Sequence, residues 1–259
     1  MKMRIAPLLL FLPVLAVGQP ADTSEQPVPA SDPETERPVS WKQLLPNIGS
    51  DQKKIWLFPL HLGQPNVFLP TAAVVGVTAG LVALDPSDAP YFRRTTTFHS
   101  FNNVFTGSNA SYGIIAAPVA LYLTGLARKN SKMQKTALFA GEAVANAEIV
   151  TTVFKDIDRR VRPAAIPPNG NFSDTWFESS GSTLRGRGSF PSGHTIAAMS
   201  VATVVARQYR NHRWVPFLAY GLAGAIGFSR VTLSAHFISD VFMGGALGYS
   251  ISRFAVLRQ

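Results

Sequence analysis

Apolar residues gather in six long blocks, at 67–84, 113–127, 136–154, 194–207, 215–229 and 237–257. Each is long enough for a helix and too long for a typical strand. Ala and Gly dominate the blocks, a composition that lets helices approach one another closely. Pro86, Pro90, Pro163, Pro167, Pro168 and Pro191 fall between them and read as breaks. The pattern predicts an all-α fold, a bundle of about six core helices with no internal repeat.

The chain ahead of the blocks differs in texture. Residues 1–18 have the form of a cleaved export signal: Lys2 and Arg4, an apolar run at 5–17, then the small residues Ala16 and Gly18. As a helix that run would reach about 20 Å, short of the ~30 Å hydrocarbon core of a bilayer. Residues 19–40 carry Pro20, Pro27, Pro29, Pro33 and Pro38 among acidic and small polar residues, the composition of a disordered linker. Residues 41–66 form an amphipathic segment suited to lying across a surface or packing over a core. The main domain is expected at 67–259.

Charge sharpens this picture. Apolar residues make up 46% of the 259 and charged ones only 15%, so the chain must bury its surface in itself or in lipid. The net charge is +9, and residues 67–259 carry all of it, with 18 basic against 9 acidic residues. Phosphates or an anionic membrane surface would be attracted to such a domain. Nucleic acid is not an expected partner, because no basic-aromatic stripe or nucleic-acid motif is present. Zero Cys excludes disulfides, a Cys zinc site and a thiol nucleophile.

The loops pull in two directions on location. Arg128, Lys129, Lys132 and Lys135, then Arg207, Arg210 and Arg213, then Arg253 and Arg258 would share one face of a six-span bundle, as the positive-inside rule asks. That places residues 19–66 in the cytoplasm, whereas an export signal carries them outside. Glu142 and Glu148 also interrupt the third block. Integral-membrane and soluble exported forms both stay open, and both put the catalytic end outside.

Three clusters carry chemistry. Lys155 and Arg162 lie about two helical turns apart, and Pro163 sets Arg162 at a helix end, so two long cations can converge on one anion. A solvated basic face would look the same. Pro191-Ser192-Gly193-His194 opens the fourth block with an N-cap residue, a glycine that admits a ligand and an imidazole able to transfer a proton. It also suits a plain helix start. Ser229-Arg230 is followed by His236 and Asp240, an i,i+4 pair on one helix face in which a carboxylate can fix the imidazole tautomer. A structural His–Asp pair, or a metal corner lacking further ligands, fits equally. His61, His99 and His212 read as surface or capping residues, and Arg159, Arg160, Arg185 and Arg187 as solvated loop arginines. Trp176 and Phe177 suit a substrate rim or simple loop packing.

Taken together, Lys-x6-Arg-Pro, Pro-Ser-Gly-His and Ser-Arg-x5-His-x3-Asp resemble the tripartite signature of the type 2 phosphatidic acid phosphatase superfamily. That superfamily also holds bacterial nonspecific acid phosphatases and vanadium haloperoxidases. The resemblance implies an α-helical phosphatase for a phosphomonoester or pyrophosphate, on lipid or small phosphoester substrates, working through phosphohistidine without metal or other cofactor. It assigns His236 as nucleophile, Asp240 as its orienting carboxylate and His194 as acid and base. Lys155, Arg162, Ser192, Gly193 and Arg230 would hold the phosphoryl oxygens. A vanadate-dependent haloperoxidase and a non-enzymatic cationic envelope protein binding anionic lipid are the alternatives.

Overall fold

The structure, a computed structural model, describes residues 37–178 and 188–257. The expected signal at 1–18, nearly all of the linker, and Arg185, Arg187 and Arg258 lie outside the described residues. Eight α-helices occur among those described: α1 (Leu44–Leu57), α2 (Pro65–Arg94), α3 (His99–Val104), α4 (Gly107–Ala127), α5 (Ser131–Asp158), α6 (Gly193–Gln208), α7 (Trp214–Thr232) and α8 (Ile238–Ser250). No strand occurs among them. A π-helical turn, Ile251–Val256, prolongs α8.

α6 forms the axis of the bundle, with α4, α5, α7 and α8 around it. On one side Phe139, Ala140, Ala143, Ala147 and Val150 of α5 meet Ile196 and Val204 of α6. On another, Ala197, Ala198 and Ala202 of α6 meet Ile114 of α4 and Ala223 of α7. Small residues set the spacing. A Cβ on Gly244 of α8 would lie 2.8 Å from the Ser192 carbonyl oxygen, and one on Gly248 would come closer still to that of Ile196. Backbone contact between α6 and α8 therefore requires glycine at both places.

α2 departs from the expected break at Pro86 and Pro90, because both prolines lie inside the helix, which runs on to Arg94. Each costs one backbone hydrogen bond. Tertiary anchoring offsets the loss, since Asp85, Ala89 and Phe92 are buried on one stripe. Ala89 packs with Ile166, Phe172 and Phe237, and Phe92 with Val231 and Val241. Arg93 donates to the carbonyls of Ile166 and Ala164.

α1 packs over the core against α5. Its inward side is polar: Asp51 is fully buried, paired with Arg37 at 2.6 Å and accepting from Asn146 at 3.1 Å. Arg37 also pairs with Glu142, so the carboxylate that interrupts the third apolar block is neutralised within the bundle.

Three helices, α2, α4 and α5, are long and apolar enough to cross a membrane. α2 and α4 present apolar side chains outward, among them Leu69, Val75 and Leu84, then Tyr112, Ile115 and Leu123, each more than half exposed.

Candidate active site

The site gathers at one end of the bundle, where α5 and α7 finish and α6 and α8 begin. α5 stops because Arg159 adopts a left-handed conformation, φ 42°. Lys155 therefore sits on the last turn of α5, while Arg162 stands in extended backbone ahead of a 3₁₀ turn at Pro163–Ala165. The two helical turns expected between the cations do not form, because the helix ends at Asp158 and Arg159 turns the chain aside. Lys155 is buried, and its Nζ would lie 3.3 Å from a Cβ placed on Gly193. Any other residue there would push the ammonium aside by a few tenths of an ångström.

Ser192 is the N-cap of α6 by position, yet no side-chain capping bond forms there. Its hydroxyl accepts from Thr195 Oγ1 at 2.8 Å, and its amide donates to the Asp240 carbonyl at 3.0 Å. The first amides of α6 thus point into the site as an anion cradle. His194 follows on the first turn. Its Nε2 lies 3.1 Å from the Gly107 carbonyl oxygen and 2.9 Å from Ser111 Oγ. A carbonyl only accepts, so Nε2 carries the proton and Nδ1 is left for chemistry. Arg230, on the last turn of α7, is 2% exposed. It donates to the Phe105 carbonyl and to Ser229 Oγ, which fixes its guanidinium beside Gly107.

His236 and Asp240 meet, but not across a helix face. His236 precedes α8, and Asp240 is the third residue of that helix, accepting from the Phe237 amide at 2.9 Å. The shorter partner of His236 Nδ1 is the Ser189 carbonyl oxygen, at 2.7 Å, with Asp240 Oδ2 at 3.4 Å. This again fixes the tautomer: Nδ1 is protonated and Nε2 is the free base. Burial holds the imidazole down at about 4, from an ordinary 6.5, and the charges of Lys155 and Arg162 add to that effect while Asp240 opposes it. His236 is consequently neutral at physiological pH, the form a nucleophile needs.

Arg160 corrects the expectation of a solvated arginine. It is 1% exposed and binds Asp240 Oδ1 at 2.6 Å, Asp85 Oδ2 at 2.7 Å, Ser239 Oγ at 2.8 Å and Thr175 Oγ1 at 3.2 Å. Its guanidinium stacks between Trp176 and Phe237, so Trp176 packs the loop. Ser189 donates to Asp240 Oδ2 at 2.5 Å. Sequence reasoning missed Ser189, Ser111 and Asp85 altogether. His61, His99 and His212 are exposed, as expected. Arg159 is exposed as well.

Residues 136–259 match the PAP2 superfamily, a region that holds all three clusters. This stretch is similar to PAP2 domains. Among curated proteins the chain is 28% identical over 128 residues to a lipid A 4'-phosphatase of Porphyromonas gingivalis, covering 48% of this chain and 52% of the relative. It is 36% identical over 110 residues to phosphatidylglycerophosphatase B of Bacillus subtilis, covering 39% and 46%. The chain thus spans about half the length of these relatives. A crystal structure of a transmembrane PAP2-type phosphatidylglycerolphosphate phosphatase from Bacillus subtilis aligns over 81% of this chain and 94% of that one. The identity there is 19% and the TM-score 0.41. Besides the matched residues, α4 supplies Ser111 and Gly107, and α2 supplies Asp85, so the PAP2 site draws on chain ahead of residue 136.

Proposed function

We propose that the chain is an integral-membrane, metal-independent phosphatase that removes a phosphoryl group from a lipid phosphate or pyrophosphate through a phosphohistidine. One observation carries the reading: His236 is held through Nδ1 by the Ser189 carbonyl at 2.7 Å, which leaves Nε2 as a free nucleophile within the field of Lys155 and Arg162, and burial favours the neutral ring.

In the first step the Nε2 lone pair attacks phosphorus, the Nε2–P bond forms, and the bond from phosphorus to the leaving oxygen breaks. His194 enters this step as the imidazolium, protonated on Nδ1 as well as on Nε2, and gives the leaving oxygen its Nδ1 proton, which returns it to the neutral ring that the second step needs. Lys155, Arg162, Arg230, Ser192 and the Gly193 amide stabilise the charge on the equatorial oxygens. In the second step His194 takes a proton from water, the water oxygen attacks phosphorus, and the Nε2–P bond breaks to release phosphate. The positive ring formed in between is stabilised by Asp240.

The relatives named for lipid A phosphate and phosphatidylglycerophosphate support a lipid substrate, as do the outward apolar faces of α2 and α4. No group of three or more His, Asp or Glu able to hold a metal occurs among the described residues. The basic loops at the far end of α4–α5 and α6–α7 support an active site on the extracytoplasmic side.

The test is phosphate release from phosphatidate, phosphatidylglycerol phosphate, undecaprenyl pyrophosphate, lipid A phosphate and a soluble monoester, with and without detergent and after exhaustive EDTA treatment. Turnover of a lipid member that survives EDTA is expected, with an acid-labile, base-stable phosphoryl label that disappears in His236→Ala. Undiminished labelling in that variant would sink the assignment.

A further inference from the structure

α2 is apolar and largely outward-facing over most of its length, yet of its two carboxylates, Asp85 and Asp88, the first is 1% exposed. A charge on such a helix is costly unless paired, and its pairing is informative. Asp85 Oδ2 accepts from Arg160 Nη2 at 2.7 Å and from the Ser239 hydroxyl, and Oδ1 from the Ser239 amide at 3.3 Å. The other arm of the same guanidinium, Nη1, donates to Asp240 Oδ1 at 2.6 Å. One buried cation is therefore shared by two buried carboxylates, and only one of these touches His236. Asp85 and His236 also line the same small cavity, together with Asp88, Ser234 and Phe237.

The charge arithmetic is simple. Asp85, Arg160 and Asp240 together carry one net negative charge behind the His236 ring. Without Asp85, Arg160 would cancel Asp240 outright. The phosphorylated ring is a cation, because Nδ1 keeps its proton while Nε2 bonds phosphorus, so the intermediate needs that surplus negative charge more than the ground state does.

We propose that Asp85 is a positioning residue for phosphoryl transfer: by taking up one arm of Arg160 it leaves Asp240 with the net charge that stabilises the phosphohistidine cation. This rests on His236 being the nucleophile. A purely structural Asp85 would neutralise Arg160 and do nothing for the ring, and the two roles separate experimentally.

The probe is the best-hydrolysed member of the phosphoester panel, radiolabelled in the phosphoryl group, with the full chain in detergent. Asp85→Asn keeps shape and drops the net charge from minus one to zero. It should lower kcat about tenfold, the equivalent of one pKa unit of charge stabilisation, leave KM within twofold, and lower the labelled fraction at steady state. Asp85→Asn combined with Arg160→Gln returns the net charge to minus one and should recover several-fold in kcat over the single variant. If Asp85→Asn does not fold, the double variant, which restores the net charge of minus one, decides: kcat within tenfold of wild type supports the proposal, and a loss beyond a hundredfold overturns it. Wild-type kcat and labelling in folded Asp85→Asn, or no recovery in the double variant, also overturns it. Absence of label in the wild type would instead strike the phosphohistidine reading itself.

Discussion

His236 donates its Nδ1–H to the Ser189 carbonyl oxygen at 2.7 Å, so the tautomer of the candidate nucleophile is set by backbone ahead of α6. Asp240 stands further from that nitrogen, at 3.4 Å, and contributes charge more than direction. In hydrolytic triads where the carboxylate alone holds the tautomer, its amide replacement costs about 10⁴ in kcat. Here Asp240→Asn should cost only about a hundredfold, since Ser189 still holds the ring. The comparison of phosphate release in wild type and variant, at matched melting temperature, checks this. A 10⁴-fold loss would return tautomer control to Asp240.

The depressed His236 makes a second expectation, for stability. In the unfolded chain the imidazole titrates near 6.5, and in the folded one at about 4, so between those values the unfolded state binds the extra proton. Stability must fall as pH drops from 6.5 towards 4, by roughly 1 kcal/mol per pH unit from this group. Thermal melts in detergent should show a smaller acid-induced loss in His236→Gln than in wild type. Equal losses would mean that the buried ring is not the group responsible.

Gly193 offers a cleaner local test. The methyl group of Gly193→Ala would stand 3.3 Å from Lys155 Nζ, at the mouth of the cradle made by the first amides of α6. Turnover should fall about tenfold through the displaced ammonium, with the melting temperature little changed. Full activity would show that Lys155 does not occupy the place assigned to it.

The reacting groups were readable in the sequence because each cluster is short and its spacing rigid. Lys155, Arg162, Ser192, Gly193, His194, Arg230, His236 and Asp240 all arrive at the same end of the bundle. Arg160 was not readable, since its burial depends on Asp85 and Asp240, which lie 75 and 80 residues away along the chain. Asp85 itself was obscured by Pro86 and Pro90, which suggested that the helix had already ended. One signal was available: Asp85, Ala89 and Phe92 keep helical spacing straight through the prolines. The i,i+4 spacing of His236 and Asp240 predicted contact correctly but for the wrong reason, because contact is made across the start of α8 rather than along it.

Helix spacing gives a fourth expectation. A Cβ on Gly248 would meet the Ile196 carbonyl oxygen inside ordinary contact distance, and backbone cannot move aside as a flexible side chain can. Gly248→Ala should therefore destabilise the bundle by about 1–3 kcal/mol even though it adds one carbon. Thermal melts check it, and an unchanged melting temperature would mean that α8 shifts freely against α6.

Topology supplies the fifth. The basic residues after α4 and α6 lie at the end of the bundle away from Lys155, His194 and His236. Whole cells should therefore hydrolyse a membrane-impermeant phosphoester through this enzyme without lysis. Activity that appears only after the inner membrane is broken would place the site on the cytoplasmic side.

The loop between α5 and α6 is pinned at its root, where the Ser189 amide donates to the Arg160 carbonyl at 2.7 Å and the Val161 amide to that of Thr175. Those clasps hold Ser189, and through it His236. Loosening either one would turn the imidazole without altering any side chain that faces it.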